Sequence, residues 1–214
     1  RADDGRRRRN SVRGNRWPGY ACCLPRRRSQ GVAGLRAYAG AVSPEVPQPD
    51  DKDWTFVLER PCPECGFVAA EVEITELPAL VEAAAAPWGE VLARPDAAVR
   101  PAPRVWSPLE YGCHVRDVLV LFAERAELMQ REDDPLFGNW DQDATALEQR
   151  YWEQEPGVVA SEITDAARGN AAVWARVSDW SRQGRRSNGS VFMLDTLGRY
   201  MLHDLRHHLY DVAL

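Results

Sequence analysis

Lysine and histidine are scarce in this chain of 214 residues, and so are long apolar runs. Lys52 is the only lysine, so almost all positive charge is arginine, which we attribute to a coding bias of the source. No run approaches the roughly 18 apolar residues that a membrane-spanning helix needs. The Arg-rich N-terminal stretch lacks the apolar segment of a secretory signal. We therefore expect a cytoplasmic protein with no membrane partner.

Positive charge is concentrated at one end of the chain. Residues 1–49 hold 11 Arg against three acidic residues, a net of +8. Because the whole chain carries −5, residues 50–214 carry −13, and an acidic body disfavours a nucleic-acid-binding core. The arginine blocks favour a disordered tail over residues 1–49, followed by one domain over residues 50–214. A nucleic-acid or membrane-surface arm is the weaker alternative for the tail.

Cysteine usage does not indicate a disulfide framework. The count of five is odd and no signal peptide accompanies it. Cys62 and Cys65 enclose a knuckle-like turn that resembles half of a zinc ribbon, but no second cysteine pair follows, so a four-cysteine zinc site is disfavoured. A disulfide, two free thiols or a site shared across a dimer remain open for this pair. Cys113 is core filler or a redox-sensitive thiol.

Helical signals dominate residues 77–212. Ser107, Pro108 and Glu110 predict a helix start with a capping box, and Pro87 predicts a kink or a split in the preceding helix. Apolar periodicity predicts four helices, at about 77–94, 108–132, 157–180 and 194–212. No strand alternation is long enough to predict a sheet. We expect an all-α four-helix bundle, with a long connection at about 135–155 that is functional or a crossover.

The last helix carries the strongest chemical signal. His203 and His207 are four residues apart, so on a helix both imidazoles lie on one face and can reach one metal ion. His208 is rotated by about 140° from His203 at ~100° per residue, which makes it the weaker ligand candidate. His114, in the second predicted helix, supplies a third imidazole. A packing role for these histidines is the alternative.

Three neutral imidazoles would leave a divalent ion with its charge and with open positions, which is typical of catalytic metal sites. Ligand type does not choose among zinc, nickel and iron. The sequence therefore predicts one divalent metal site formed by His114, His203 and His207.

The chain from about Trp54 to Val212 resembles the DinB-like superfamily of four-helix metalloproteins. The resemblance rests on residues 106–114 with their tryptophan, cap and histidine, on the loop of residues 139–143, and on residues 197–208 with the His-acid-x-x-His pair. It implies that His114, His203 and His207 are the metal ligands. One departure is that His208-Leu209-Tyr210-Asp211 stands where many members have His-x-Gly-Gln, which leaves the substrate open.

The resemblance also implies that a bound metal activates a low-molecular-weight thiol, such as mycothiol or bacillithiol, or water. The activated group would attack an electrophilic small molecule, as in thiol-dependent transferases and maleylpyruvate isomerases. Asp204 or Asp211 could orient an imidazole, Arg199 could hold a carboxylate, and Tyr200 could line the pocket. A solvated helix face or core packing is the alternative for each of these residues.

We expect a metal-dependent enzyme, and two alternative functions stay open. A non-catalytic metal-binding or stress-response bundle would close the site with a fourth protein ligand, such as His208 or a carboxylate. A nucleic-acid binder would depend on residues 1–49, against the acidity of the body. A homodimer formed through helix faces is compatible with the sequence.

Overall fold

The computed structural model describes residues 45–47 and 52–213. The predicted tail over residues 1–49 lies almost wholly outside this range, so the predicted domain boundary stays a prediction. Within the described residues, no helix combines the length and the apolarity needed to cross a membrane.

Helices dominate the described chain, as the sequence predicts. They are α1 (Leu77–Ala85), α2 (Trp88–Leu92), α3 (Pro108–Arg131), α4 (Gln142–Glu148), α5 (Pro156–Trp174) and α6 (Leu194–Ala213). Short 3-10 helices cover Trp54–Leu58, Ala69–Glu71, Ile74–Glu76 and Tyr151–Glu153. Pro87 separates α1 from α2, so the predicted split is observed. The third predicted helix ends at Trp174, six residues before the expected end.

The capping box predicted for the second long helix is present. The Ser107 side chain accepts a hydrogen bond from the Glu110 backbone N–H, and the Glu110 carboxylate accepts from the Ser107 N–H at 2.8 Å. Pro108 occupies the first turn, where its missing N–H leaves no hydrogen bond unmade. This cap fixes the start of α3 about two turns before His114.

Four of the helices form the bundle. Helix α3 packs against α5 and α6, and α1 also packs against α5 and α6, while the short α2 lies against α5 and α3. Buried Asn170 of α5 donates a hydrogen bond to the Leu119 carbonyl of α3 at 2.7 Å. The core between the helices includes Trp88, Trp174 and Met201, all almost fully buried.

A small sheet corrects the expectation that the chain has no sheet. Its strands are β1 (Leu136–Phe137), β2 (Gln183–Arg186) and β3 (Val191–Met193), with β2 pairing parallel to β1 and antiparallel to β3. Strands of two to four residues are too short to show an alternation in the sequence. Gly189, at φ +98°, makes the turn of the β2–β3 hairpin.

Two helical glycines provide a test of the packing around α6. A Cβ on Gly198 would meet Leu77 Cδ2 at 2.5 Å, and Leu77 is fully buried and cannot move aside. Gly198→Ala is expected to lower the free energy of unfolding by about 1–3 kcal/mol through overpacking. In the matched control Gly169→Ala, on the exposed face of α5, a Cβ meets nothing within 4 Å. This control should gain about 0.5–1 kcal/mol. Urea denaturation measures both, and equal changes would contradict the close helix contact.

Candidate metal centres

Helix α6 presents two pairs of donor side chains on adjacent faces. His203 and His207 form one i,i+4 pair, and Asp204 and His208 form a second pair displaced by one residue. A step of one residue rotates a side chain by about 100° around the helix axis. The two pairs therefore meet different parts of the structure.

The second pair meets His114 of α3. His114 Nε2 lies 3.4 Å from Asp204 Oδ1, and His208 Nε2 lies 3.6 Å from the same oxygen. One donor atom from each of these residues lies within 4.8 Å of the other two. Ligands about 2.0–2.1 Å from one tetrahedral ion are about 3.3 Å apart, which matches this spacing. We call this group, His114, Asp204 and His208, the His-Asp-His centre.

Asp211 orients the His208 ring within the centre. His208 Nδ1 lies 2.8 Å from Asp211 Oδ2, and an ionised carboxylate only accepts hydrogen bonds, so Nδ1 carries the proton. The other ring nitrogen, Nε2, is then the one with a free lone pair, and it is the nitrogen that faces Asp204. A metal-ligating histidine commonly has a carboxylate behind it in this way.

Buried polar atoms of the centre lack hydrogen bonds. Both ring nitrogens of His114 and Oδ1 of Asp204 are buried, and among the described residues they make no well-formed hydrogen bond, only the contacts of 3.4 and 3.6 Å within the centre itself. Burial alone would raise the pKa of Asp204, but the interaction of its carboxylate with His114 and His208 outweighs burial and lowers the pKa to about 2. Buried polar atoms without partners are costly. An ion shared by these atoms would satisfy them, so the residues fit a divalent metal.

The first pair on α6 meets the cysteine turn. Donor atoms of Cys62, Cys65, His203 and His207 all lie within 4.8 Å of one another. Both cysteines are free thiols, which removes the disulfide among the alternatives for this pair. Burial, followed by the charge of His207, lowers the pKa of His203 to about 4, so His203 is neutral at pH 7. We call these four residues the Cys-His cluster.

The three histidines of the predicted site are therefore divided between two groups. His203 and His207 turn toward Cys62 and Cys65, whereas His114 is joined by Asp204 and His208. His208, the weaker ligand candidate from the sequence, lies beside His114 where His203 and His207 were expected. It does so together with Asp204, which is four residues before it on the same face of α6. Two signals in the sequence point to this division. They are the second i,i+4 pair on α6 and the Cys-x-x-Cys spacing that complements His-x-x-x-His.

Aromatic rings enclose the His-Asp-His centre. Trp140 stacks on His114 with ring centroids 5.2 Å apart and planes 15° apart, and Trp106 contacts the same imidazole at 5.5 Å. Trp140 is held by a 2.8 Å hydrogen bond from its Nε1 to Thr145 Oγ1, and Asp141 caps α4. The long connection that the sequence singles out thus places a ring against a donor histidine.

An open pocket of about 830 Å³ adjoins the centre. Its lining includes Asp204, His208 and Asp211, the α6 histidines His203 and His207, and the aromatic residues Trp140 and Tyr200. Arginine, lysine and aspartate side chains also line it: Lys52, Asp53, Arg104, Asp141, Asp143 and Arg186. A small molecule that enters this pocket reaches two of the three donors of the centre.

The remaining predicted site residues have separate outcomes. Tyr200 lines the pocket, and burial raises its pKa. Arg199 does not line the pocket, because its guanidinium pairs with Asp195 and donates to the carbonyls of Ala69 and Val72. The pKa of buried Cys113 is raised to about 12, chiefly by burial, so this thiol is core filler.

A buried ion pair anchors α3 below the centre. Arg100 Nε donates to Glu110 Oε2 at 2.8 Å and its Nη2 contacts Oε1, so the pair is bidentate. Glu110 is 1% exposed and is the same carboxylate that closes the capping box. This single side chain therefore fixes the start of α3 and, one turn later, the position of His114.

Fold and site together define a helical bundle with a candidate metal centre facing a pocket. Among solved structures, the chain is similar to YfiT from Bacillus subtilis, described as a probable metal-dependent hydrolase with an unusual four-helix bundle topology. The TM-score is 0.52 at 16% identity, over 78% of this chain and 91% of the other. At this identity the likeness concerns the fold alone. No family model and no curated protein matches the sequence.

Replacing Glu110 with glutamine tests the anchor of α3. Loss of the charge leaves Arg100 without its bidentate partner, and we expect the free energy of unfolding to fall by about 3–5 kcal/mol. Glu127→Gln is the matched control, because Glu127 pairs with Arg176 at an exposed position. It should change stability by less than about 1 kcal/mol. Thermal and urea unfolding report both, and equal effects would argue against the anchor.

Proposed function

We propose that this protein is a metal-dependent enzyme of the DinB-like type, in which His114, Asp204 and His208 hold the metal at the mouth of the pocket. The observation that carries the proposal is that buried donor atoms of His114 and Asp204 lack a well-formed hydrogen bond among the described residues, while Asp204 and His208 line the pocket. The fold of YfiT and its description as a probable metal-dependent hydrolase support the same interpretation.

This ligand set replaces the three-histidine site in our proposal, and it contains one carboxylate. Two neutral imidazoles and one carboxylate leave a divalent ion with a net positive charge and with coordination positions open to substrate. The set is compatible with zinc and with iron(II). When bound, such an ion polarises a substrate oxygen and lowers the pKa of a coordinated water or thiol.

Other residues of the site orient the proposed ligands, cover them or face the substrate pocket. Asp211 keeps the proton on His208 Nδ1 and thereby keeps Nε2 available as a ligand. Trp106 and Trp140 cover His114 and exclude water from its side of the centre. Tyr200 has a raised pKa, so its hydroxyl stays protonated at neutral pH and can donate to a substrate oxygen in the pocket.

Hydrolysis is the reaction that we favour, because a pocket open to solvent supplies water. Transfer of a low-molecular-weight thiol, of the mycothiol or bacillithiol kind, to an electrophile is the second candidate. It rests on the sequence resemblance alone. A non-catalytic metal-binding bundle is the remaining alternative.

Metal removal tests the proposed centre. The full-length chain is stripped with a chelator, reloaded with zinc, nickel or iron(II), and assayed against chromogenic esters, amides and phosphate esters. A parallel assay supplies a thiol and an electrophile. We expect activity to return with one of the metals and to fall at least 100-fold in His114→Ala and Asp204→Ala, the order of effect typical of lost transition-state stabilisation.

Asp165→Ala is the matched control, since this aspartate is exposed on α5 and lies outside both groups of donors. It should retain full activity. Metal that binds through His114 and Asp204 without turnover in either assay would identify a non-catalytic metal-binding protein. Unchanged metal content in both variants would rule out the centre.

Asp211→Asn tests the orienting carboxylate. An amide can present an N–H to His208 Nδ1, which allows the ring to adopt the other tautomer and weakens Nε2 as a ligand. We expect the metal concentration that gives half-maximal occupancy to rise about 10–100-fold. Competition with a fluorescent chelator measures this shift. Asp165→Asn should leave it unchanged, and an unchanged affinity in Asp211→Asn would show that the carboxylate plays no part.

A further inference from the structure

We propose that Cys62, Cys65, His203 and His207 form a second metal site, closed and structural, that takes zinc. The two cysteines lie in the turn before α1 and the two histidines lie in α6, so the site joins the two ends of the described domain. Cys62 and His207 are 145 residues apart in the chain. This site is separate from the His-Asp-His centre and does not depend on the proposed activity.

The donor atoms are spaced as ligands of one tetrahedral ion. Cys62 Sγ lies 3.7 Å from His207 Nδ1. Zn–S bonds of about 2.3 Å and Zn–N bonds of about 2.0 Å at a tetrahedral angle place sulfur and nitrogen about 3.5 Å apart. Two thiolates and two imidazoles form a common ligand set of structural zinc, and the spacings Cys-x-x-Cys and His-x-x-x-His are typical of it.

Carboxylates beside the His207 ring favour the tautomer that the site needs. Its Nε2 faces two carboxylates, Glu64 Oε2 at 3.5 Å and Asp211 Oδ1 at 3.6 Å. Nearby carboxylates favour the proton on Nε2, which leaves the lone pair on Nδ1, the nitrogen that faces the Cys62 sulfur. Asp211 thus contacts one histidine of each metal site.

His203 provides an independent observation that points to a ligand. Its Nε2 is buried and has no hydrogen-bond partner among the residues that the structure describes. The side chain of His203 is 3% exposed, and Trp54 and Phe67 pack against its ring with centroids 5.4 Å away in each case. A buried nitrogen without a partner is costly in such apolar surroundings, and coordination would satisfy it.

The cysteine turn is shaped to present both sulfurs to α6. The Cys62 N–H donates to the Phe67 carbonyl at 2.9 Å, and the Gly66 N–H donates to the Cys62 carbonyl at 3.0 Å. Gly66 adopts φ +72°, which a residue with a Cβ rarely does, and this reverses the chain after Cys65. The turn is therefore fixed by its own backbone before any ion binds.

Four protein ligands leave no open position, which is the property of a structural rather than a catalytic zinc. The ion would fasten the turn, and with it residues 62–67, to α6. Asp204 directly follows His203, and His208 directly follows His207. A metal ion that holds His203 and His207 in place would therefore also fix the orientation of Asp204 and His208 on the adjacent face of the helix. The second site thereby positions the first.

Cobalt substitution in the full-length chain tests the site directly. Cobalt bound by thiolates in a tetrahedral site gives a sulfur-to-metal charge-transfer absorption and intense visible bands, whereas the His-Asp-His centre has no sulfur ligand. We expect both features, together with two zinc ions per chain by mass spectrometry. Cys62→Ser and Cys65→Ser should lose one zinc and the charge-transfer absorption.

Three further variants separate the possible causes of a change. Cys113→Ala, a buried free cysteine outside the cluster, should keep both signals. His114→Ala should lose one zinc but keep the cobalt–thiolate absorption, so failure of the proposed catalytic centre is distinguished from failure of this site. If Cys65→Ser does not fold, Cys65→His should restore folding and zinc binding, because imidazole is also a zinc ligand.

Thiol reactivity provides the outcome that would overturn the proposal. In the zinc-loaded parent, Cys62 and Cys65 should be protected from a maleimide reagent and become reactive after chelation. Equal reactivity before and after zinc loading, or no charge-transfer absorption with cobalt, would show that the four residues do not bind a metal.

Discussion

The structure depends on the rotational position of helix α6. This helix carries two i,i+4 pairs of donors one residue apart, His203 with His207 and Asp204 with His208, and both pairs point into the protein. A small rotation of α6 about its axis would move both pairs away from their partners. These partners are Cys62 and Cys65 for the first pair and His114 for the second. Packing sets this rotation, because Gly198 allows Leu77 to approach the helix closely and Asn170 lies against Met201.

Burial of so many polar donors is unfavourable without compensation. Imidazole nitrogens and a carboxylate oxygen lie inside an apolar bundle, and several of them lack hydrogen bonds within the described residues. The same apolar surroundings that make these atoms costly would strengthen their hold on a cation. Aromatic rings on both sides, Trp54 at the Cys-His cluster and Trp140 at the His-Asp-His centre, complete these surroundings. Metal binding is the role that the spacing of these groups supports.

The loops position the site as much as the helices do. Trp140 reaches His114 because Asp141 starts a short helix and Thr145 accepts the indole hydrogen bond. Arg199, a substrate-binding candidate from the sequence, instead donates to the carbonyls of Ala69 and Val72 and ties the N-terminal segment to α6. Asp211 contacts His207 and His208, so one carboxylate serves both donor groups. The pocket therefore depends on contacts between segments that are remote in sequence.

The sequence by itself determined the local features. It predicted the capping box at Ser107 and Glu110, the break at Pro87, the helical class of the domain and the histidines with metal-ligand spacing, because each is fixed by neighbouring residues. Only the tertiary structure decided which donors meet. Periodicity places two residues on one helix face, but it does not say which remote segment that face contacts. For the same reason the sequence missed the pairing of Cys62 and Cys65 with His203 and His207, and the short strands, whose hydrogen bonds come from distant parts of the chain.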